Sequence, residues 1–403
     1  MSVNTLNFEQ ISTVLTSIVQ QATGQAVQTP TDTGSFVSVA QVALRADRDS
    51  VMNAISNILA RTIFSIRPYT AKLKGLEMDT FWWGGMMRKL SIADTDWEDD
   101  EAYSYPIFYD ANQTPPDGEG GSVDRWKIKK PNVLQTNFYG QSVYSDHMTI
   151  TEDQLETAFT GPEQLGSFLS LLMTNLSNRL EMSNESIRRG LICNAIGALY
   201  NENQTGRVIH LLSEYNSLTG LSLDGQTVYD PANFPAFCKW VYSRVAEITD
   251  LFTANSTLFQ TNITGKPILR HTPYEFQRVY LYSPFQRQMD ARVLADAYHD
   301  NYLKYADVET IPFWQSLDNR DEVTVKPSYV DATGTLVTPA SAVNVEGIFG
   351  LIFDRDAMGM TILDRRVLST PVNESGLYRN IWVHGKQRVV FDNTEKVCLL
   401  LLD

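Results

Sequence analysis

A chain of 403 residues with 43% apolar and 20% charged side chains can bury a sizeable core in one large or two medium domains, and this balance excludes a disordered chain. Lys and Arg number 33 against 47 Asp and Glu, and the net charge of −14 opposes attraction to phosphate backbones and anionic membranes, which argues against a dedicated nucleic-acid reader. No apolar run approaches the roughly 18 residues of a membrane span, the first basic residue is Arg45 so that no secretory leader is expected, and Cys193, Cys238 and Cys398 form no CxxC pair, which suits free thiols in a reducing compartment.

Phe8, Ile11, Leu15, Ile18 and Ala22 recur at helical spacing, and Gly24 closes the pattern. Residues 23–38 are polar, rich in Thr and Gly and interrupted by Pro30, and they read as an extended arm or linker. A second helix is expected over 48–66, with Val51, Ile55, Leu59 and Ile63 on one face and Pro68 after its end.

Residues 90–150 change to period two, with Tyr103, Tyr105, Ile107 and Tyr109 on alternate positions and Trp126 and Ile128 on a returning segment. Between them NQTPPDGEGG, residues 112–121, supplies a turn. Two arms of about 20 residues would reach on the order of 60 Å. A two-stranded ribbon of that length cannot bury its own aromatics, so it must lie on something else, and a neighbouring copy of the same chain is the economical partner.

Over 163–199 Leu165, Leu169, Leu172, Leu176, Leu180, Ile187, Leu191 and Ala195 form one stripe, with Pro162 and Glu163 at the start. A continuous rod of that length spans about 55 Å and organises the rest of a fold, although Gly190 weakens its centre. Asp230-Pro231 is expected to open a helix carrying Phe237, Val241, Val245, Ile248 and Phe252. Gln277–Tyr282 reads as a strand, and Ser283, Pro284 and Gln286 start a helix running to about Tyr298. From Gly347 onward the chain is strand-like, ending in the apolar run KVCLLLL, which suits a buried central strand. Strands mixed with helices in this way point to α/β or α+β layering.

Searching for chemistry yields little. There is no phosphate-wrapping glycine loop, no HExxH and no GxSxG elbow, and the five histidines are scattered without ligand spacing. Asp94, Asp96, Glu98, Asp99, Asp100 and Glu101 begin like a calcium loop, but the sixth position is Asp99 where Gly is required, and the twelfth is Tyr105 where Glu is required. An acidic solvated ribbon is one reading. The other is pairing with the basic residues of the returning segment, Arg125, Lys127, Lys129 and Lys130, within one ribbon or between copies. Trp82-Trp83 before Gly84-Gly85 suits packing better than a carbohydrate platform.

The order of these elements resembles the major capsid protein fold of tailed bacteriophages, the Hong Kong 97 type. The likeness is closest to the short-tailed phi-29-like phage group, on PNVLQTNFYGQSVYSDHMTITEDQLETAF at 131–159 and the spine segment that follows, with VYLYSPFQRQMDARVLADAYH at 279–299 and the ending GLYRNIWVHGKQRVVFDNTEKVCLLLLD in support. The resemblance implies an α+β fold with an N-terminal arm and helices over 1–70, an extended loop over 71–150, a peripheral domain with its spine helix over 151–206, an axial domain over 207–350, and C-terminal strands over 351–403 completing both domains. Some members append an immunoglobulin-like domain, which is not expected here.

The function implied is self-assembly into hexamers and pentamers that close an icosahedral or prolate shell around packaged double-stranded DNA, without catalysis or cofactor. Implied partners are other copies of the chain, a scaffolding protein and a portal, with assembly in the host bacterial cytoplasm and no membrane. Candidate intersubunit contacts are Asp96, Trp97, Glu98, Asp99, Tyr103, Tyr105, Tyr109, Arg125, Trp126, Lys127, Lys129 and Lys130. An encapsulin-like compartment and, from another class, a soluble carboxylate-based hydrolase are the alternatives.

Overall fold

The computed structural model describes residues 8–23, 28–46, 72–78, 86–93, 132–139, 141–151, 154, 161–203, 206–264, 268–293 and 307–403. Two helices open the chain, α1 (Phe8–Thr23) and α2 (Thr33–Ala46). The second corrects the expectation of an extended arm to residue 38. Asp32 starts the helix by a reciprocal cap: Ser35 N–H donates to Asp32 Oδ1 at 2.6 Å, and Asp32 N–H donates to Ser35 Oγ at 3.2 Å. Phe36 and Ala40, one turn apart, are both fully buried, so a short apolar stripe outweighs the Thr- and Gly-rich composition. The helix expected over 48–66 lies outside the described residues.

Next come β1 (Met86–Ala93) and β2 (Asn132–Tyr139), an antiparallel pair in register from Met86 opposite Tyr139 to Ala93 opposite Asn132. β3 (Ser142–Thr151) does not continue that ribbon. It pairs with a strand more than two hundred residues away, so the period-two stretch 90–150 supplies two different sheets.

The spine is α3 (Pro162–Glu202), unbroken through Gly190. Its 41 residues span about 60 Å. Small residues set its close contacts: a β-carbon at Gly166 would meet the Ile11 side chain of α1 at 2.8 Å, and one at Gly197 would collide with Val325.

After the spine follow β4 (Val208–His210), α4 (Leu211–Thr219) and α5 (Phe234–Thr253). The last begins later than Asp230-Pro231 suggests, because the Asp230 carbonyl is used in a turn that accepts from Asn233 and Phe234. β5 (Gln277–Tyr282) and α6 (Ser283–Val293) follow as expected, although the continuation of α6 to Tyr298 lies outside the described residues. The remaining strands are β6 (Asp307–Ile311), β7 (Val323–Val325), β8 (Tyr329–Val330), β9 (Leu336–Val337) and β10 (Val343–Val345). They lead into the long C-terminal series β11 (Ile348–Asp354), β12 (Met358–Ser369), β13 (Tyr378–Phe391) and β14 (Val397–Leu401).

Two sheets share the spine. The five-stranded one has the order β4-β14-β11-β5-β6, parallel at both edges and antiparallel in the middle. Alternation divides its side chains between two cores. Val397, Leu399 and Leu401 pack with Leu191, Ala195 and Leu199 of α3, while Cys398 and Leu400 pack with Val241, Val245 and Ile248 of α5. The sheet is thus covered by a helix on each face, which explains why β14, and β11 as far as Phe353, carry no polar side chain and are buried. The three-stranded sheet β12-β13-β3 takes the other half of the spine, where Leu176 and Leu180 meet Val383. The fold is α+β, with one helix joining both sheets.

Candidate assembly surface

All twelve residues singled out between Asp96 and Lys130 lie outside the described residues, as do the 112–121 turn and the Trp82-Trp83 pair. What the structure describes is the base from which that segment departs, since Ala93 and Asn132, paired across β1 and β2, bracket it.

The two faces of this base differ. On the inner face Lys89 reaches the turn between β13 and β14 and pairs with Asp392 at 2.8 Å and also with Glu395. Arg270 pairs with the same Glu395 and donates to Ser91 Oγ at 3.1 Å. Leu134 of β2 lies against Ile268 and Thr394.

Burial alone would weaken the Lys89 ammonium, but the Asp392 and Glu395 carboxylates outweigh it and hold Lys89 above the ordinary lysine range. Burial likewise works against the charge on Asp392. There Lys89 and two hydrogen bonds from Thr394 prevail, and the carboxyl falls below its usual range. For Glu395 burial wins, and its carboxyl is raised despite both cations.

The turn holding these acids is a buried polar hub. Asp392, Asn393, Thr394, Glu395 and Lys396 are five consecutive polar residues, none more than 6% exposed. Together they tie several parts of the molecule. Asn393 Nδ2 donates to Thr261 Oγ1 at 2.9 Å and to the Val330 carbonyl at 2.6 Å, while its own carbonyl accepts from Arg207, itself paired with Glu202 at the end of α3. Lys396 Nζ donates to the Phe252 and Ala254 carbonyls at 3.1 and 2.7 Å, closing the C-terminus of α5. A buried polar turn tied to so many elements favours one arrangement, and here that arrangement fixes the ribbon base against the spine and the five-stranded sheet.

The outer face carries large apolar side chains that no described residue covers. Ile92 stands opposite Val133, with Leu90 two residues along, and the three are 62%, 45% and 61% exposed; Tyr139 further down the same face is 72% exposed. Adjacent large apolar side chains on a two-stranded ribbon form a surface that association would dry.

Chemistry of other kinds finds no footing among the described residues. No group of three or more His, Cys, Asp or Glu side chains is placed to hold a metal, and no helix is long and apolar enough to cross a membrane. His147 stacks on Trp382 with ring centroids 4.4 Å apart. The three cysteines are buried, and burial pushes the Cys193 thiol up to about 11.

Sequence reasoning missed the hub. DNTEK reads as an ordinary exposed turn between strands, and nothing local in it points to Lys89 some three hundred residues earlier. The one available signal was Lys89 itself, a cation inside a strand whose neighbours alternate.

A family model described as Phi29-like phage major capsid protein matches residues 15–401. No curated protein matches the sequence. Among solved structures, the capsid structure of Staphylococcus phage Andhra superposes with a TM-score of 0.52 at 10% identity, covering 84% of this chain and 87% of that one. The structure of head fiber and inner core protein gp22 of native bacteriophage P68 gives a TM-score of 0.51 at 9% identity, with the same 84% and 87% coverage. At such identities these two likenesses speak for the fold.

Proposed function

The chain belongs to the Phi29-like phage major capsid protein family and is a shell protein of a phage head, and from that premise we propose how it builds the shell. Copies associate into hexamers and pentamers, and these close an icosahedral or prolate container around double-stranded DNA. The subunit acts by contact and carries out no catalysis.

The observation that carries this reading is the ribbon base, held rigidly on its inner face by buried ion pairs and left apolar on its outer face. From this base the chain continues into residues 94–131, and the proposal is that neighbours cover the aromatics Trp97, Tyr103, Tyr105, Tyr109 and Trp126 there. Many modest contacts made together give a strength that no single one has, and repetition by symmetry closes the surface. A net charge of −14 suits a container whose DNA is held by confinement rather than by adhesion to the wall. A scaffolding protein, a portal and assembly in the host cytoplasm complete the proposal.

The test is to purify the chain and examine it by gel filtration and negative-stain microscopy, alongside a variant lacking residues 100–130. The full chain should give rings, tubes or particles. The deletion variant should keep the helical content and cooperative melting of a folded subunit yet remain unassembled. Shells of undiminished stability from the deletion variant would overturn the assembly mechanism.

A further inference from the structure

One groove in the described residues has a charge opposite to that of the chain. It encloses about 470 Å³ where the start of β1 meets the segment 74–78, the end of β13 and the loop after β11. Lys74, Arg88 and Arg355 stand on its rim, all exposed, with no carboxylate within ion-pair distance among the described residues. Arg278 adds a fourth cation from the wall. Of the two acids present, Glu77 is already engaged by the buried Arg188, which leaves Asp356 alone against the rim cations. The floor is apolar, made by Met78, Met87, Phe138 and Val390. In a protein of net charge −14, the three rim cations around an apolar floor define the chemistry of what would fill it: an acidic peptide carrying a large apolar side chain.

The chain contains one such tract, D-T-D-W-E-D-D-E, residues 94–101, with six acids around Trp97. We propose that this tract of one copy docks in the Lys74, Arg88 and Arg355 groove of the next copy, Trp97 over the apolar floor and Asp96, Glu98 and Asp99 against the cations. This rests on the shell reading and names the contact that would join neighbours within a ring.

The partner is a second copy because β1 carries the chain away from the groove. Ala93 lies on the order of 13 Å beyond Lys89 along the strand, so the tract begins outside its own groove. A head-to-tail contact, donor on one side and acceptor on the other, is also the kind that closes rings.

Charge reversal tests it. A groove variant (Lys74→Glu, Arg88→Glu, Arg355→Glu) and a tract variant (Asp96→Lys, Glu98→Lys, Asp99→Lys) should each need at least about tenfold more protein to assemble, the equivalent of about 1.4 kcal/mol. An equimolar mixture of the two should recover the even-membered rings, the hexamers, because complementary surfaces then alternate between copies, and a chain carrying both sets of changes should recover rings of either number.

Rescue only when both sets of changes sit in one chain, with mixing restoring not even hexamers, would mean the tract fills its own groove and would overturn the proposal. In case a triple variant folds poorly, the pair Lys74→Cys and Glu98→Cys gives an independent readout. The native cysteines are buried, so oxidation should give a ladder of covalently joined subunits on a non-reducing gel, and its absence from assembled particles counts against the contact. If the unaltered chain forms no particles at all, the shell reading fails and takes this contact with it. If the groove variant assembles at the unaltered concentration, the groove assignment alone falls.

Discussion

β14 and β1 are both strands of alternating side chains, and the contrast between them separates what holds the subunit from what joins subunits. β14 has a helix over each face, so each alternate set of side chains finds a core, one with α3 and one with α5. β1 has a buried ion cluster on one face and nothing among the described residues on the other. An interior strand is stabilised by burying apolar area, whereas the ribbon base is held by geometry: Lys89 must meet Asp392 and Glu395 from one direction. The first arrangement gives stability, and the second fixes β1 against the body with apolar surface to spare.

Breaking the two regions should therefore have different consequences. The largest loss of subunit stability is expected for Leu399→Asp, which places a carboxylate where Val397, Leu401 and the spine leave no polar partner; more than about 4 kcal/mol should disappear from the urea unfolding free energy, enough to prevent folding of a marginal domain.

Lys89→Met should come next, at about 3 kcal/mol, because two buried carboxylates lose their shared cation while Arg270 still serves Glu395. Hydrogen exchange would localise that loss to β1 and β2 and leave β11 and β14 protected.

The same cluster gives the ribbon base a pH dependence. Asp392 is held below its ordinary range, so its contribution is fully present above the usual carboxylate range and is lost as the pH falls through its depressed value. Lys89 is held above its ordinary range, so its contribution is present below that range and is lost as the pH rises through the elevated value. Glu395, raised by burial, opposes Asp392 and softens the acid limb. Protection of β1 amides should accordingly be flat through neutral pH and fall at both extremes, and Lys89→Met should remove the alkaline limb. An alkaline limb that survives the substitution would assign the dependence elsewhere.

The smallest effect on the subunit is expected on the outer face. Ile92→Ser with Val133→Ser should change the unfolding free energy by no more than about 0.5 kcal/mol per site, since neither side chain is buried in the subunit. The assembly concentration should nonetheless rise. A thermal melt beside a light-scattering assembly curve separates the two, and a destabilised melt with unchanged assembly would show that this face serves the subunit itself.

Periodicity made much of the body legible. The spine stripe from Leu165 to Ala195 names a helix that is present from Pro162 to Glu202, and Gln277–Tyr282 and the terminal apolar run lie where they were expected, because a side chain repeating every 3.6 or 2 residues is a local property of the chain. Where composition was read in place of periodicity the reading failed: Thr, Gly and Pro30 suggested an arm through residue 38, but Asp32 and Ser35 cap a helix there. Of the stretch 90–150 the alternating aromatics lie outside the described residues; its described ends are strands, yet the pattern could not tell that β3 leaves for the sheet of β12 and β13. Of the surface itself, the apolar outer face and the groove went unread, because their residues come from segments far apart in sequence and acquire a common chemistry only when packed.

The sequence by itself determined the class of object: an acidic chain with a long organising helix and a buried, apolar terminal strand. Local periodicity and composition suffice for that, since they decide what each segment must bury. Only the tertiary structure decided that DNTEK is an interior hub, that Lys89 is its key, and that Lys74, Arg88 and Arg355 share one groove. The physical reason is that burial and charge pairing act through space, between groups that the order of the chain keeps hundreds of residues apart.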